Sequence, residues 1–176
     1  LSSCFDKLSM IMIINYIYRI LWFVGLVLLQ VLILNNIHLA GYATPFLYTY
    51  FILKFPSSVS RNELLLWAFF LGLIIDVFSN TPGINASATV LMAFVRPPLL
   101  TLFTPRDSFD NIVPSFKTIG NFSFIKYLLI CLLIHHGALL TIEFFSFADI
   151  GSLILRIASS TLLTLSCILA FEGVKK

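Results

Sequence analysis

Long apolar runs separated by short polar segments set the plan of this chain. Windows of about 20 residues, the length a helix needs to cross a bilayer, give a first span at Met12–Leu34 and a weaker second at about Leu39–Phe55, which contains Pro45. A third follows at Leu64–Phe78, a fourth at Ala86–Phe103, a fifth at Phe124–Phe145 and a sixth at Ile150–Phe171. The runs are continuous rather than alternating with period two, which argues against the strands of a closed barrel. The pattern predicts an all-α, polytopic membrane protein with six transmembrane helices over residues 12–174, preceded by an N-terminal extension at 1–11 on which nothing functional rests.

Charge orients that plan. Of the eleven Lys and Arg, nine fall on one side: Lys7, Arg19, Lys54, Arg61, Arg106, Lys117, Lys126, Lys175 and Lys176. The opposite loops, around NNIHLAG, SNTPGIN and FSFAD, have neither Lys nor Arg. Cytoplasmic segments retain basic residues, so both termini are expected in the cytoplasm, and dropping the second span would scramble the segregation. Composition agrees: 176 residues, 59% hydrophobic, 11% charged and a mean hydropathy of +1.00 leave no room for a second globular domain. The three cysteines, Cys4, Cys131 and Cys167, form no close pair, so neither a disulfide nor a metal site is expected.

The polar residues inside the apolar runs carry whatever chemistry there is. In GLIIDVFSNTPGINAS, Gly72–Ser87, an oily helix ends on Asp76 and turns through Pro82, Gly83 and Asn85. Proline and glycine fix such a turn while Ser and Asn bond the freed backbone. Gly72 lies one turn below Asp76 on the same face, where a missing side chain lets a neighbouring helix approach. An aspartate at this depth calls for a cation, and Arg156 matches it in depth while Arg96 could reach it by snorkelling; a simple cap on the following turn is the alternative. Arg96-Pro97-Pro98 predicts a kink or break in the fourth span. Adjacent His135 and His136 diverge on a helix, and His136 and Glu143 lie too far apart to share a metal, so packing roles are expected. Gln30 reads as an interhelical hydrogen-bonding group, and residues 104–123, interrupted by Pro114, as a short interfacial segment. No positioned nucleophile, HExxH or phosphate loop is present, and no enzyme is expected.

The segment GLIIDVFSNTPGINA resembles the signature of the rod shape-determining protein MreD family, in which a glycine and leucine precede an aspartate, a small polar turn, a glycine and a further helix. LLQ at Leu28–Gln30, the Pro45 segment, the six-span plan and the length match as well, so the resemblance covers Met12 to Val174. It implies a non-enzymatic component of the bacterial cell-elongation complex in the inner membrane, without cofactor or nucleic acid. Its implied partners are an MreC-like protein and, indirectly, the MreB filament and the cell-wall synthases. Gly72, Asp76, Pro82, Gly83, Asn85, Arg96 and Arg156 would then order the bundle and dock a partner's transmembrane helix within the lipid bilayer. The family is also similar in fold to the substrate-binding membrane subunits of energy-coupling factor vitamin transporters. That similarity leaves a second function open, a polar pocket under the outer loops, for which Tyr42, Asp76, Glu143 and Asp149 are the available groups.

Overall fold

The computed structural model describes residues 2–36, 44–104, 111–144 and 150–174. Its helices are α1 (Ser2–Leu32), α2 (Thr49–Leu53), α3 (Arg61–Ser79), α4 (Ile84–Phe103), α5 (Phe116–Ile119), α6 (Asn121–Glu143) and α7 (Ile150–Val174), with a 3-10 turn at Leu34–Asn36. Five of them, α1 from Ile13 onward, α3, α4, α6 and α7, are long and apolar enough to cross a membrane. Among the described residues there is no strand. The chain is therefore an all-helical bundle of the polytopic membrane type. Residues 2–11 form the first turns of α1.

Packing follows chain order: α1 on α3, α3 on α4, α4 on α6 and α6 on α7. Outward faces carry Ile17, Phe70, Val77, Leu102 and Leu162 exposed, as an apolar solvent allows. Two levels of the bundle are fixed by cross-links. At one, Arg19 of α1 meets Glu63 at the start of α3 at 3.0 Å; this is the basic end. At the other, the hairpin end, Asn35 donates to Ser79 at 3.0 Å.

The second expected span differs from the sequence reading. Within the described residues it is helical only over the five residues of α2, all buried. Pro45 has no N–H to donate and biases Thr44 away from helical geometry. A backbone left without a helical ladder at membrane depth persists only where protein groups satisfy it, and here neighbouring side chains do so. Thr44 N donates to Ser160 Oγ (3.3 Å) and Phe46 N to Thr164 Oγ1 (3.1 Å). Gln30 serves both directions, donating through Nε2 to Pro45 O and accepting from Leu47 N, each at 2.9 Å. The segment runs beside α7 from Ser160 to Glu172, where Tyr50 and Lys54 bond. At 1.5 Å per residue of α7, that is about 18 Å.

Of the kink or break expected at Pro97-Pro98, there is no break, because α4 continues as helix through both prolines. Phe94 O, which Pro98 cannot serve, takes Arg61 Nη2 at 3.4 Å instead, with the guanidinium 4.1 Å from the Phe94 ring. Of the expected interfacial segment, residues 105–110 lie outside the described residues. The rest is tied inward: Ser57 N donates to Ile112 O (2.9 Å), Ile112 N returns to Ser57 Oγ (3.0 Å), and Phe116 packs on Phe124 with ring centroids 4.9 Å apart.

Candidate functional site

At the hairpin end the chain reverses between α3 and α4 over four residues. Asn80 takes a left-handed conformation (φ 55°) and closes α3. Pro82 and Gly83 then fill the centre of a turn that Ile84 N closes on Thr81 O (3.4 Å). Gly83, at φ 82° and ψ −4°, sits in the geometry that the third residue of a type II turn requires. The reversal lays the start of α4 directly on α3. A Cβ on Gly72 would lie 2.4 Å from Ala86 Cα and 2.7 Å from Ala86 N, so only glycine permits this crossing.

That approach determines what Asp76 does. The first N–H groups of α4 have no acceptor within their own helix, and Gly83 at the cap position has no side chain to offer. Asp76 supplies the acceptor from the neighbouring helix. Its Oδ1 accepts from Asn85 N (2.8 Å), Asn85 Nδ2 (3.0 Å) and Thr81 Oγ1 (2.9 Å), and its Oδ2 from Ala86 N (2.9 Å). An acidic group is favoured at the positive end of a helix dipole. The expected arginine partner is therefore replaced by four donors of the turn and helix start, and among the described residues Asp76 makes no ion pair. Arg156 lies instead over the ring of Phe144, 4.7 Å from its centroid.

A buried chain of hydrogen bonds extends inward from the cap. Tyr48 Oη donates to Asn85 Oδ1 at 2.9 Å and lies 3.0 Å from His135 Nε2. Because the tyrosine has one proton and directs it to Asn85, the His135 contact requires its Nε2–H to donate. His135 Nδ1 is buried without a partner among the described residues. His136 faces the other way, donating through Nδ1 to Leu132 O (2.8 Å) with Nε2 3.1 Å from Thr164 Oγ1, the same hydroxyl that receives Phe46 N. One histidine thus supports the α3–α4 cap and the other the irregular segment before α2. Among the described residues no three of His, Cys, Asp and Glu converge in a metal-binding group.

Arg96 lies deeper, 2% exposed, and its role was not legible beforehand. Its Nη2 donates to Phe55 O and, at 3.4 Å, to Leu53 O, the carbonyls at the end of α2; Tyr127 Oη also donates to Leu53 O at 3.1 Å. Sequence reasoning missed a second arrangement at the basic end. Lys54 Nζ bonds Glu172 Oε1 and Pro114 O, each at 2.8 Å, and Tyr50 Oη donates to Glu172 Oε2 at 2.6 Å. Lys54 and Glu172 are 118 positions apart, and neither forms a local motif that would have signalled the pair.

Between the hairpin end and the α6–α7 pair lies a cavity of about 490 Å³ whose wall includes Asn35, Ser79, Asn85, Glu143, Arg156 and Ser160. It offers hydrogen-bonding groups together with charges of both signs. Tyr42 and Asp149, also expected near this end, lie outside the described residues. No family model, curated protein or solved structure matches the chain.

Proposed function

We propose that this chain is a non-enzymatic scaffold of the bacterial cell-elongation complex, of the MreD type, set in the inner membrane with six crossings and both termini in the cytoplasm. The observation that carries this reading is the occupancy of Asp76. The residues that bear the resemblance, Gly72, Asp76 and Asn85, are committed to building the α3–α4 hairpin: the glycine admits the helix crossing, and among the described residues every bond of the carboxylate goes to the turn and the helix it starts. A signature made of packing and capping groups suits a component that docks other proteins rather than one that transforms a small molecule. The long path of residues 44–55 beside α7 supports counting that segment as a crossing. Arg19, Lys54, Arg61 and Lys117 at the opposite end from Asp76 support placing that end in the cytoplasm. The partners are an MreC-like protein and, through it, the MreB filament and cell-wall synthases.

The test is a pull-down from mildly solubilised native membranes with mass spectrometry of the retained proteins. MreC-like and cell-wall synthase proteins are the expected companions. Recovery of ATPases with a coupling membrane subunit would replace the scaffold by the vitamin-transporter reading. That alternative is favoured by one feature, the cavity with Glu143 and Arg156 in its wall.

A further inference from the structure

A second concavity lies at the basic end, remote from the hairpin. It encloses about 580 Å³ between α1 and the segment around α2, and its wall includes Tyr18, Arg19, Trp22, Tyr50, Lys54 and Ser58. Through Tyr18, Trp22 and Leu26 it shares its boundary with a shallower groove of about 360 Å³ whose wall adds Leu21, Gly25, Leu29 and Phe171. The two adjoin along these side chains, the first cationic and hydroxyl-bearing and the second apolar. From Arg19 to Leu29 along α1 the axial rise is about 15 Å, one leaflet of a hydrocarbon core about 30 Å thick.

The charges are arranged with the cations toward the larger concavity. Arg19 and Lys54 line it, whereas their carboxylate partners Glu63 and Glu172 do not. Arg19 uses Nη1 for Glu63 (3.0 Å), and its Nε and Nη2 make no hydrogen bond among the described residues. Lys54 uses two donors, for Glu172 and Pro114 O, leaving a third. The Arg19 guanidinium lies 5.2 Å from the Phe55 ring centroid with donors still unused, and together with the Lys54 ammonium in the same wall it matches phosphate oxygens; basic pockets between helices near the membrane surface are where anionic headgroups bind. A free phosphate would have no use for the apolar arm. We propose that these two concavities together bind one anionic phospholipid, its phosphate between Arg19 and Lys54 and one acyl chain lying along Gly25 between α1 and α7. The site is distinct from the hairpin end and does not rest on the partner assignment.

Gly25 makes the proposal separable from folding, because a Cβ built there meets nothing within 4 Å. A larger side chain at this position enters the groove rather than the core. The experiment uses the full chain, purified in mild detergent and stripped of lipid. Native mass spectrometry then measures binding of phosphatidylglycerol, phosphatidylcholine of the same acyl chains, and glycerol phosphate alone, with the melting temperature of each lipid-free variant as the control for folding. Phosphatidylglycerol is expected to bind at least about fivefold more tightly than phosphatidylcholine, the contribution of one cation near a membrane surface. Arg19→Gln should remove about that factor and Arg19→Lys should retain most of it. Glu63→Gln, which breaks the same ion pair but keeps the cation, should bind at least as well as the parent. Gly25→Leu should weaken both lipids without lowering the lipid-free melting temperature. Equal binding of the two lipids would overturn the headgroup assignment, as would an equal loss in Glu63→Gln and Arg19→Gln. Glycerol phosphate binding as tightly as the lipid, or Gly25→Leu binding like the parent, would overturn the acyl-chain assignment.

Discussion

Asp76 and Arg96 are both ionisable side chains buried in apolar helices, 3% and 2% exposed, and neither pairs with an opposite charge among the described residues. Each is held by the polar backbone at a helix terminus. Asp76 receives the N–H groups that open α4, and Arg96 donates to the carbonyls that close α2. The match of sign is physical: helix starts present donors and helix ends present acceptors that have no partners of their own. The two sites differ in reach. Among the described residues every partner of Asp76 lies within ten positions along the chain, whereas the carbonyls that Arg96 serves are 41 and 43 residues away. A buried charge at membrane depth is therefore weak evidence for an ion pair, and either end of a helix is as good a place to look for its partner.

The long-range site should be the more costly to break. In Arg96→Met, Phe55 O loses its guanidinium donor, while Leu53 O keeps Tyr127. Each stripped buried carbonyl costs roughly 1–3 kcal/mol, and burial of the charge with its unpartnered Nε is relieved in return. A net loss of up to about 3 kcal/mol is expected, read as a lower melting temperature and a lower yield of folded protein in detergent. Melting like the parent would show that the end of α2 does not depend on Arg96.

Next in size is Gly72→Ala. Its added Cβ meets the backbone of Ala86, not the tip of a flexible side chain, so the two helices must separate. Overpacking of this kind costs about 1–3 kcal/mol. Because separation also draws Asp76 away from Asn85 and Ala86, the double variant with Asp76→Ala should lose less than the sum of the two single changes. Additive losses would detach the glycine from the cap.

The same difference in reach explains what could be read from the sequence. Four spans are legible to within about three residues because their signal is local apolarity: Leu64–Phe78 against Arg61–Ser79, Ala86–Phe103 against Ile84–Phe103, Phe124–Phe145 against Asn121–Glu143, and Ile150–Phe171 against Ile150–Val174. The Pro82-Gly83 turn and the need for a small residue at Gly72 are legible for the same reason, being set by backbone geometry within one hairpin. The segment around Pro45 is not. Its backbone is satisfied by Gln30, Ser160 and Thr164, the last two over a hundred positions distant, and no window along the chain contains that information. Its apolarity reads as a span while its actual conformation depends on who surrounds it. Arg96 is illegible in the same way: its position beside two prolines says nothing of its partners, since the carbonyl that Pro98 leaves open goes to Arg61 and Arg96 serves a different element. The depth match between Asp76 and Arg156 fails because depth is one coordinate of three.

The smallest expected effect separates the two readings of Asp76 most sharply. Asparagine is as good a helix cap as aspartate, and in Asp76→Asn the remaining side-chain oxygen keeps an acceptor for Asn85 N while Ala86 N loses its own, so the loss should be about 1 kcal/mol. Asp76→Ala removes every acceptor and should cost about 2 kcal/mol or more. Were the carboxylate balancing the charge of Arg156, Asn and Ala would be equally damaging, because both abolish the ion pair and leave a cation without its counter-charge. The melting temperatures of the two variants decide this, together with Arg156→Gln, which should change stability little and add independently to either. Asn melting with Ala would return Asp76 to an electrostatic role; Asn melting with the parent would mean that this position needs an oxygen aimed at the start of α4 more than it needs a charge.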